Sequence, residues 1–477
     1  MLSLVILSSV GIIIISTFIL IIGNKPDFWF WLFLNLYFDP GGYVEGYLGG
    51  KLLGPLIAAD VFIVGIIICL ISAKVNWRII FGDKFLSNFL LALFIFSIYY
   101  FIVYGGIVPY FHNDFNYSTF LIKNRLFVYG LIILIAVYVF SLRNLRYFYS
   151  ITLSIGFICL SFYLITLLTG FDLIFVWELK REGTAMIRKM LLSYGLFRLT
   201  FPLALTVYLI SKKNKLDIKY KHWLYFSGIL MLFTELITLT RRTQIDIIGL
   251  TIIILLLISY LFRSSKLKGF LKLVIPVLAV SVILFFTLPD YTKYIKQTAK
   301  DTFSILTTGE NSLGQREERV TGTGDLEITK EYIMNNLLFG TGYTHLFWLS
   351  AGNVMSPRGK TYAIACDAAK EVPIYYLLFG FGVVGAILIF PLYFIMATLF
   401  LKLIKLLRII MISYLDDPLT IIFSIYILLT IAVNFTINLY QFGSHFIATT
   451  LGETAVILGL GFAIYRKLNM NVQIKLQ

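Results

Sequence analysis

Residues 223–262 read WLYFSGILMLFTELITLTRRTQIDIIGLTIIILLLISYLF, two apolar runs that meet at Arg241 and Arg242. Each run is close to the ~20 residues an α-helix needs to cross the hydrocarbon core of a bilayer. In lipid, backbone polar groups must be bonded internally, so the runs predict two transmembrane helices joined by a tight turn that carries adjacent guanidiniums. The other basic residues gather at Lys74/Arg78/Lys84, Arg143/Arg146, Lys212 to Lys221, Arg263 to Lys272, Lys402/Lys405/Arg408 and Arg466/Lys467. Positive residues collect on the cytoplasmic side of membrane proteins, which assigns these connections to the cytoplasm. An odd number of crossings separates Arg241 from the cluster on either side, so the arginine pair faces outward. Two arginines placed against the topological rule predict an extracytoplasmic anion.

Composition supports the same class. The chain has 477 residues, of which 59% are hydrophobic and only 14% charged, too little polar surface to solvate a globular body of that size. The net charge of +15 sits in short clusters at alternate segment ends, which is the pattern of topology signals and anionic-lipid contact and not of nucleic-acid binding. Three cysteines, Cys69, Cys159 and Cys366, form no disulfide or zinc framework. The opening stretch MLSLVILSSVGIIIISTFILII lacks a basic leader region and reads as a retained first helix.

Apolar runs predict helices at 2–22, 54–73, 85–107, 122–142, 148–169, 192–211, 223–240, 244–262, 270–288, 373–401, 418–437 and 447–465. The aromatic segment 27–38, DFWFWLFLNLYF, is short for a span and stops at Asp39-Pro40-Gly41-Gly42; a re-entrant or interfacial piece fits it as well. The expectation is an all-α polytopic membrane protein of about 12–13 spans. It divides into an N-terminal bundle over 1–288, a large extracytoplasmic loop over 289–372 and C-terminal helices over 373–477. The loop carries turn formers (TTGENSLG, TGTGD, SPRGK) and short amphipathic pieces, and is expected to cap the spans. No internal repeat or low-complexity tract is present.

Residues able to carry chemistry fall on the outer side. Arg198 stands near the outer end of a predicted helix, where an intramembrane charge is a functional hypothesis by default; snorkelling to the interface is the plainer alternative. Arg241 and Arg242 repel one another unless a shared anion lies between them, and a phosphate offsets that repulsion through bidentate hydrogen bonds; a solvated turn is the alternative. Arg125 also lies at an outer end. Arg316 and Arg319 sit in the loop beside Glu317 and Glu318, where a local ion-pair network competes with a ligand role. Gly340 and Gly342 predict a tight turn with positive φ and not a phosphate loop. Asp367 and Glu371 are candidate general bases four residues apart, on one face of any helix continuing into Pro373, although acidic residues also suit a first helical turn. His345, His445 and His112 are weaker candidates. No cluster has metal-ligand spacing and no nucleotide motif is present, so no metal and no cofactor are expected.

Three pieces in order, TLTRRTQIDIIGL (238–250), the loop arginines Arg316 and Arg319 followed by NNLLFGTG (335–342), and CDAAKEVPIYYLLFGFGVVGAILI (366–389), resemble the bacterial O-antigen polymerase and O-antigen ligase superfamily. The resemblance covers about 190 to 400, and the N-terminal half matches only as generic spans. It implies an overall plan like that of the membrane-embedded GT-C-like glycosyltransferases, in the bacterial cytoplasmic (inner) membrane. Ligases of this kind carry a histidine at the start of the post-loop helix. This chain has Glu371-Val372 there and Asp367 nearby, a pattern similar to the polymerases.

The resemblance implies polysaccharide polymerisation, with a growing glycan passing from polyprenyl diphosphate to a lipid-linked repeat unit. Arg198, Arg241 and Arg242, with Arg316 or Arg319, would hold the diphosphate; Asp367 or Glu371 would take the proton from the acceptor hydroxyl, with inversion at the anomeric carbon. The implied partners are the lipid-linked donor and acceptor, membrane lipids and a chain-length regulator, with no nucleic acid. The alternatives are a ligase acting on a lipid A core or a protein, and a lipid-linked oligosaccharide flippase, which would show two similar halves.

Overall fold

The computed structural model describes residues 25–40, 42, 51–53, 56–75, 77–107, 117–171, 173–180, 187–191, 324–341, 365, 373–413 and 451–476. In chain order these form α1 (Pro26–Tyr37), β1 (Lys51–Leu53), β2 (Leu56–Ile57), α2 (Ala58–Ser72), α3 (Trp77–Phe81), α4 (Lys84–Ile102), α5 (Tyr117–Arg143), α6 (Leu145–Thr169), β3 (Val176–Lys180), β4 (Ile187–Leu191), α7 (Gly324–Asn335), α8 (Pro373–Ser413) and α9 (Leu451–Leu476). A π-helical turn, Val103–Ile107, extends α4. The expected helices at 2–22, 192–211, 223–240, 244–262, 270–288 and 418–437 lie outside the described residues.

Helix dominates the described residues, as the apolar runs require, and among them three helical stretches are long and apolar enough to cross a membrane: Lys84–Ile107, Asn124–Arg143 and Leu377–Leu406. Shorter apolar stretches, Ala59–Ser72 and Ser150–Thr166, accompany them. A polytopic membrane protein accounts for this pattern. The last helix is not in that set; its apolar half is followed by Arg466 and Lys467.

The all-α plan stands, with two small hairpins added to the helices. β1 and β2 form a small antiparallel pair ahead of α2, so the helix expected from residue 54 begins at Ala58. The intervening Gly54-Pro55 is a turn-forming dipeptide that cannot start a helix cleanly. The second hairpin pairs Val176 with Leu191 through Lys180 with Ile187, in the connection expected between 170 and 191.

α1 is short and buried. Phe30, Trp31 and Leu34 have no exposure, Phe30 stacks on Phe140 of α5 at 4.2 Å, and Trp31 tilts against Phe148 of α6 at 4.8 Å. Asn35 donates to the Trp31 carbonyl at 2.8 Å and to Thr152 Oγ1 of α6 at 3.0 Å. Such interhelical bonds contribute about 0.6 kcal/mol each in a membrane protein, where packing and not water exclusion drives helix association. Pro40 ends the helix, because it cannot donate to the preceding turn, and Asp39 takes a positive φ of 43°. The segment is therefore an internal helix packed against α2 and α6, too short to cross alone.

Charge placement fixes the helix directions. Arg143 at the end of α5 donates through Nε to Asp27 of α1 at 2.8 Å and through Nη1 to the Ala73 carbonyl at 3.0 Å. Five residues earlier, Tyr138 donates to Asp83 at 2.8 Å and accepts from Arg466 Nη1 at 2.8 Å. Lys402 of α8 lies 4.6 Å from the centre of the Phe85 ring and 5.7 Å from that of Tyr465. The basic clusters that the positive-inside rule puts on one side, at Lys74 to Lys84, Arg143, Lys402 and Arg466, thus meet at one end of the described bundle. α4 and α6 leave that end; α2, α5, α8 and α9 arrive at it. α9 runs closely along α5, with Leu451 against Gly130 and Val137 against Gly459.

α8 is not one straight rod, as the run 373–401 predicts. Gly382 has φ 62° and ψ −172°, which divides it into a short first segment and the long apolar second segment.

Candidate functional site

The break in α8 and the end of the large loop are built into one another at the end of the bundle opposite the basic clusters. After α7, residues Asn336 to Thr341 turn, with Gly340 at φ 67°. The Gly340 amide donates to the Asn336 carbonyl at 2.7 Å, so the expected positive-φ turn is present at Gly340; Gly342 lies outside the described residues. A break in a helix leaves amides and carbonyls without partners in lipid, and here five of them find one outside the helix. Val383 and Val384 donate to the carbonyls of Leu337 and Leu338 at 2.9 and 3.0 Å. The Phe379 carbonyl accepts from the Thr341 amide at 2.7 Å and from its hydroxyl at 3.0 Å.

Two tyrosines of α4 and its π-turn supply further donors. Tyr104 donates to Phe339 at 2.6 Å and to Gly380 at 2.7 Å, while Tyr99 donates to Phe381 at 2.6 Å and approaches the Phe339 carbonyl at 3.1 Å. A hydroxyl has one proton, so each tyrosine shares it between two carbonyls. Behind them, Phe379 packs with Ile333 of α7 and Ala365, and Thr329 donates to the Ala365 carbonyl at 3.0 Å. The first segment of α8 therefore packs with the loop, while the second packs with α4 and α9. Neither tyrosine stood out in the sequence, where both belong to an aromatic-rich apolar run.

The second polar feature at this end is a charge pair inside the bundle. Arg125 Nη1 of α5 lies 3.1 Å from Asp60 Oδ2 of α2, and Tyr129, one turn further along α5, donates to Asp60 Oδ1 at 2.6 Å. The arginine side chain is 22% exposed and the aspartate 11%. Among the described residues, Asn124 Oδ1 and Arg125 Nε, on successive residues, are buried atoms without a hydrogen-bond partner. Asp60 was legible in principle, as the one charge within the apolar stretch AADVFIVGIIICLIS, a position where an ionisable residue signals function or pairing.

The expected diphosphate ligands Arg198, Arg241, Arg242, Arg316 and Arg319, the expected bases Asp367 and Glu371, and the histidines His112, His345 and His445 lie outside the described residues. Of the arginines expected to face outward, Arg125 is the one whose surroundings are described, and its described charge partner is Asp60. Compared with known proteins, the chain matches no protein-family model, and no curated protein matches it significantly.

Proposed function

We propose that this chain is a polysaccharide polymerase of the bacterial inner membrane. It transfers a growing glycan from polyprenyl diphosphate to a hydroxyl of a lipid-linked repeat unit at the outer face. The observation that carries the reading is the union of residues 337–341 with the α8 break. NNLLFGTG and the FGFG of the post-loop helix are two of the pieces that resemble the polymerase and ligase superfamily, far apart in sequence yet hydrogen-bonded together. A cap anchored in this way to the spans is what a transfer at the membrane surface needs, because donor and acceptor must be held in register while water is excluded.

In this reading Arg198, Arg241 and Arg242, with Arg316 or Arg319, bind the diphosphate leaving group and stabilise its charge as the glycosidic bond breaks. Asp367 or Glu371 accepts the proton of the attacking hydroxyl. The bond from the anomeric carbon to the diphosphate oxygen breaks as the bond to the acceptor oxygen forms, with inversion. The absence of the post-loop histidine and the presence of Asp367 favour polymerisation over ligation. Purified protein in lipid nanodiscs, supplied with a defined polyprenyl-diphosphate repeat unit, is expected to build a ladder of products. A single product on a lipid A core acceptor would replace the polymerase with a ligase, and no transfer to either acceptor would remove the glycosyltransferase reading.

A further inference from the structure

We propose that the end of the bundle where the basic clusters meet binds an anionic phospholipid, its phosphate at Lys84 and Lys405 and its acyl chains along α4 and α8. Exposed residues of α4 run Lys84, Asn88, Leu91, Ile95 and Ile98, the spacing of a single helical face. On α8 the exposed series Phe390, Phe394, Leu401 and Lys405 is again one face. Each stripe is therefore apolar within the span and basic at the end that the positive-inside rule gives to the cytoplasm. The two helices are neighbours, and Lys402 Nζ lies 4.6 Å from the centre of the Phe85 ring, which brings the basic end of α8 to the first turn of α4.

Charge at this end calls for an anion from outside the described protein. Among the described residues its carboxylates are Asp27, which pairs with Arg143 at 2.8 Å, and Asp83, which accepts from the Phe85 and Leu86 amides and from Tyr138. Lys84 and Lys405 are exposed and belong to neither described ion pair. The short helix α3 sets the headgroup level: Trp77 and Phe81, four residues apart on one face, are both exposed, and the Phe81 carbonyl accepts from Ser87 of α4 at 3.0 Å. Exposed aromatic rings beside basic residues are the mark of a membrane–water interface. From Lys84 to the exposed Phe94, α4 rises ~15 Å, about half of the hydrocarbon core and so the reach of one leaflet's acyl chain. An acidic soluble protein would meet the same lysines but could not cover stripes that continue into the span. A phospholipid of the cytoplasmic leaflet satisfies both parts, with its phosphate on the lysines and its chains on the apolar residues.

Native mass spectrometry of the full-length protein, titrated in neutral detergent with dioleoylphosphatidylglycerol or dioleoylphosphatidylcholine, tests this. Neither transfer activity nor orientation in a membrane enters the measurement, so the site stands or falls apart from the proposed function. Phosphatidylglycerol is expected to bind more tightly than phosphatidylcholine. Lys84→Gln/Lys405→Gln is expected to weaken phosphatidylglycerol binding about 30-fold, the contribution of two lysines near an anionic headgroup, and to leave phosphatidylcholine binding unchanged. That pair keeps Lys402 on its aromatic rings, and so keeps the contact between α8 and α4. Lys84→Arg/Lys405→Arg preserves charge and is expected to preserve the preference. Lys25→Gln/Lys74→Gln removes two exposed lysines that lie on neither stripe and is expected to bind like the unsubstituted protein. Equal affinity of the unsubstituted protein for the two lipids overturns the site. An equal loss in the Lys25/Lys74 pair overturns it in favour of diffuse charge, and a loss in the arginine pair overturns it because charge is then not what is recognised. Displacement by glycerophosphoglycerol as effective as that by the intact lipid overturns the acyl-chain contact, and with it the phospholipid as occupant.

Discussion

Gly340 and Gly382 face one another so closely that neither position has room for a side chain. A β-carbon on Gly340 would lie 2.5 Å from the Gly382 nitrogen, and one on Gly382 would lie 2.5 Å from the Leu338 carbonyl oxygen. Both residues also have positive φ, 67° and 62°. Gly340→Ala and Gly382→Ala should therefore each destabilise the protein. The left-handed backbone alone costs about 1–2 kcal/mol for an L-residue, and overlap with backbone adds to it. Because both substitutions spoil one contact, the double variant should lose less than the sum of the two. Thermal unfolding followed by size exclusion would show this as unequal additivity; strictly additive losses would mean that the two glycines act independently.

The same junction depends on shared hydroxyl protons. Tyr99→Phe and Tyr104→Phe keep the rings and remove the donors, so each should cost about 0.5–1.5 kcal/mol in stability. Tyr104 should be the more sensitive, since its residue is fully buried and the Gly380 carbonyl would be left dry. If the cap is held in register by these bonds, chain extension should fall by more than the loss of folded protein accounts for. Activity that tracks folded protein alone would limit the tyrosines to a structural role.

Asp83 tests the opposite end of the bundle. Its Oδ1 caps α4 by accepting from the Phe85 and Leu86 amides at 3.0 and 3.3 Å, and its Oδ2 accepts from Tyr138. Asn retains a capping oxygen, whereas Ala has none, so Asp83→Ala should be less stable than Asp83→Asn by about 1 kcal/mol. Equal melting of the two variants would show that the charge, not the cap, matters there.

What was readable from sequence follows from how local each signal is. The grouping of Arg143, Lys402 and Arg466 is legible because charge at a lipid boundary obeys a rule that needs no partner. The Gly340 turn is legible from GTG. The break at Gly382 is not, because LLFGFGVVGAILI reads as an unbroken apolar run; the break is sustained by the Leu337 and Leu338 carbonyls and by two tyrosines from another helix. Arg125 is recognisable as an outward charge, but its partner Asp60 lies on a different helix and only packing joins them. β2, at Leu56–Ile57, falls inside the predicted helix 54–73 because its apolar residues suit either state.

Topology underlies every assignment to the outer face. Single cysteines replacing Arg241, Gln315 or Lys360 in a cysteine-free background should react with a membrane-impermeant thiol reagent in intact cells, and one replacing Lys215 should not. Labelling only at 215 would invert the protein in the membrane and transfer the proposed transfer reaction to the wrong side.

The two candidate bases can be separated because a base and a helix-end charge fail differently. Asp367 and Glu371 precede the first segment of α8, the short piece that ends at Gly382 and packs with the loop through Phe379. A charge that only complements a helix start contributes about 0.3–1 kcal/mol, so its loss shifts stability slightly and leaves turnover intact. A general base removed from an otherwise complete site lowers the rate about 10²–10⁴-fold while donor binding persists. The proposed reading makes Asp367 the base, on its resemblance to the polymerase pattern, and Glu371 an orienting or arginine-pairing residue. Asp367→Asn should therefore abolish ladder formation at unchanged affinity for the lipid donor, and Glu371→Gln should reduce it only modestly. Near-normal turnover in Asp367→Asn would remove that assignment, and a large loss confined to Glu371→Gln would move the base one helical turn toward Pro373.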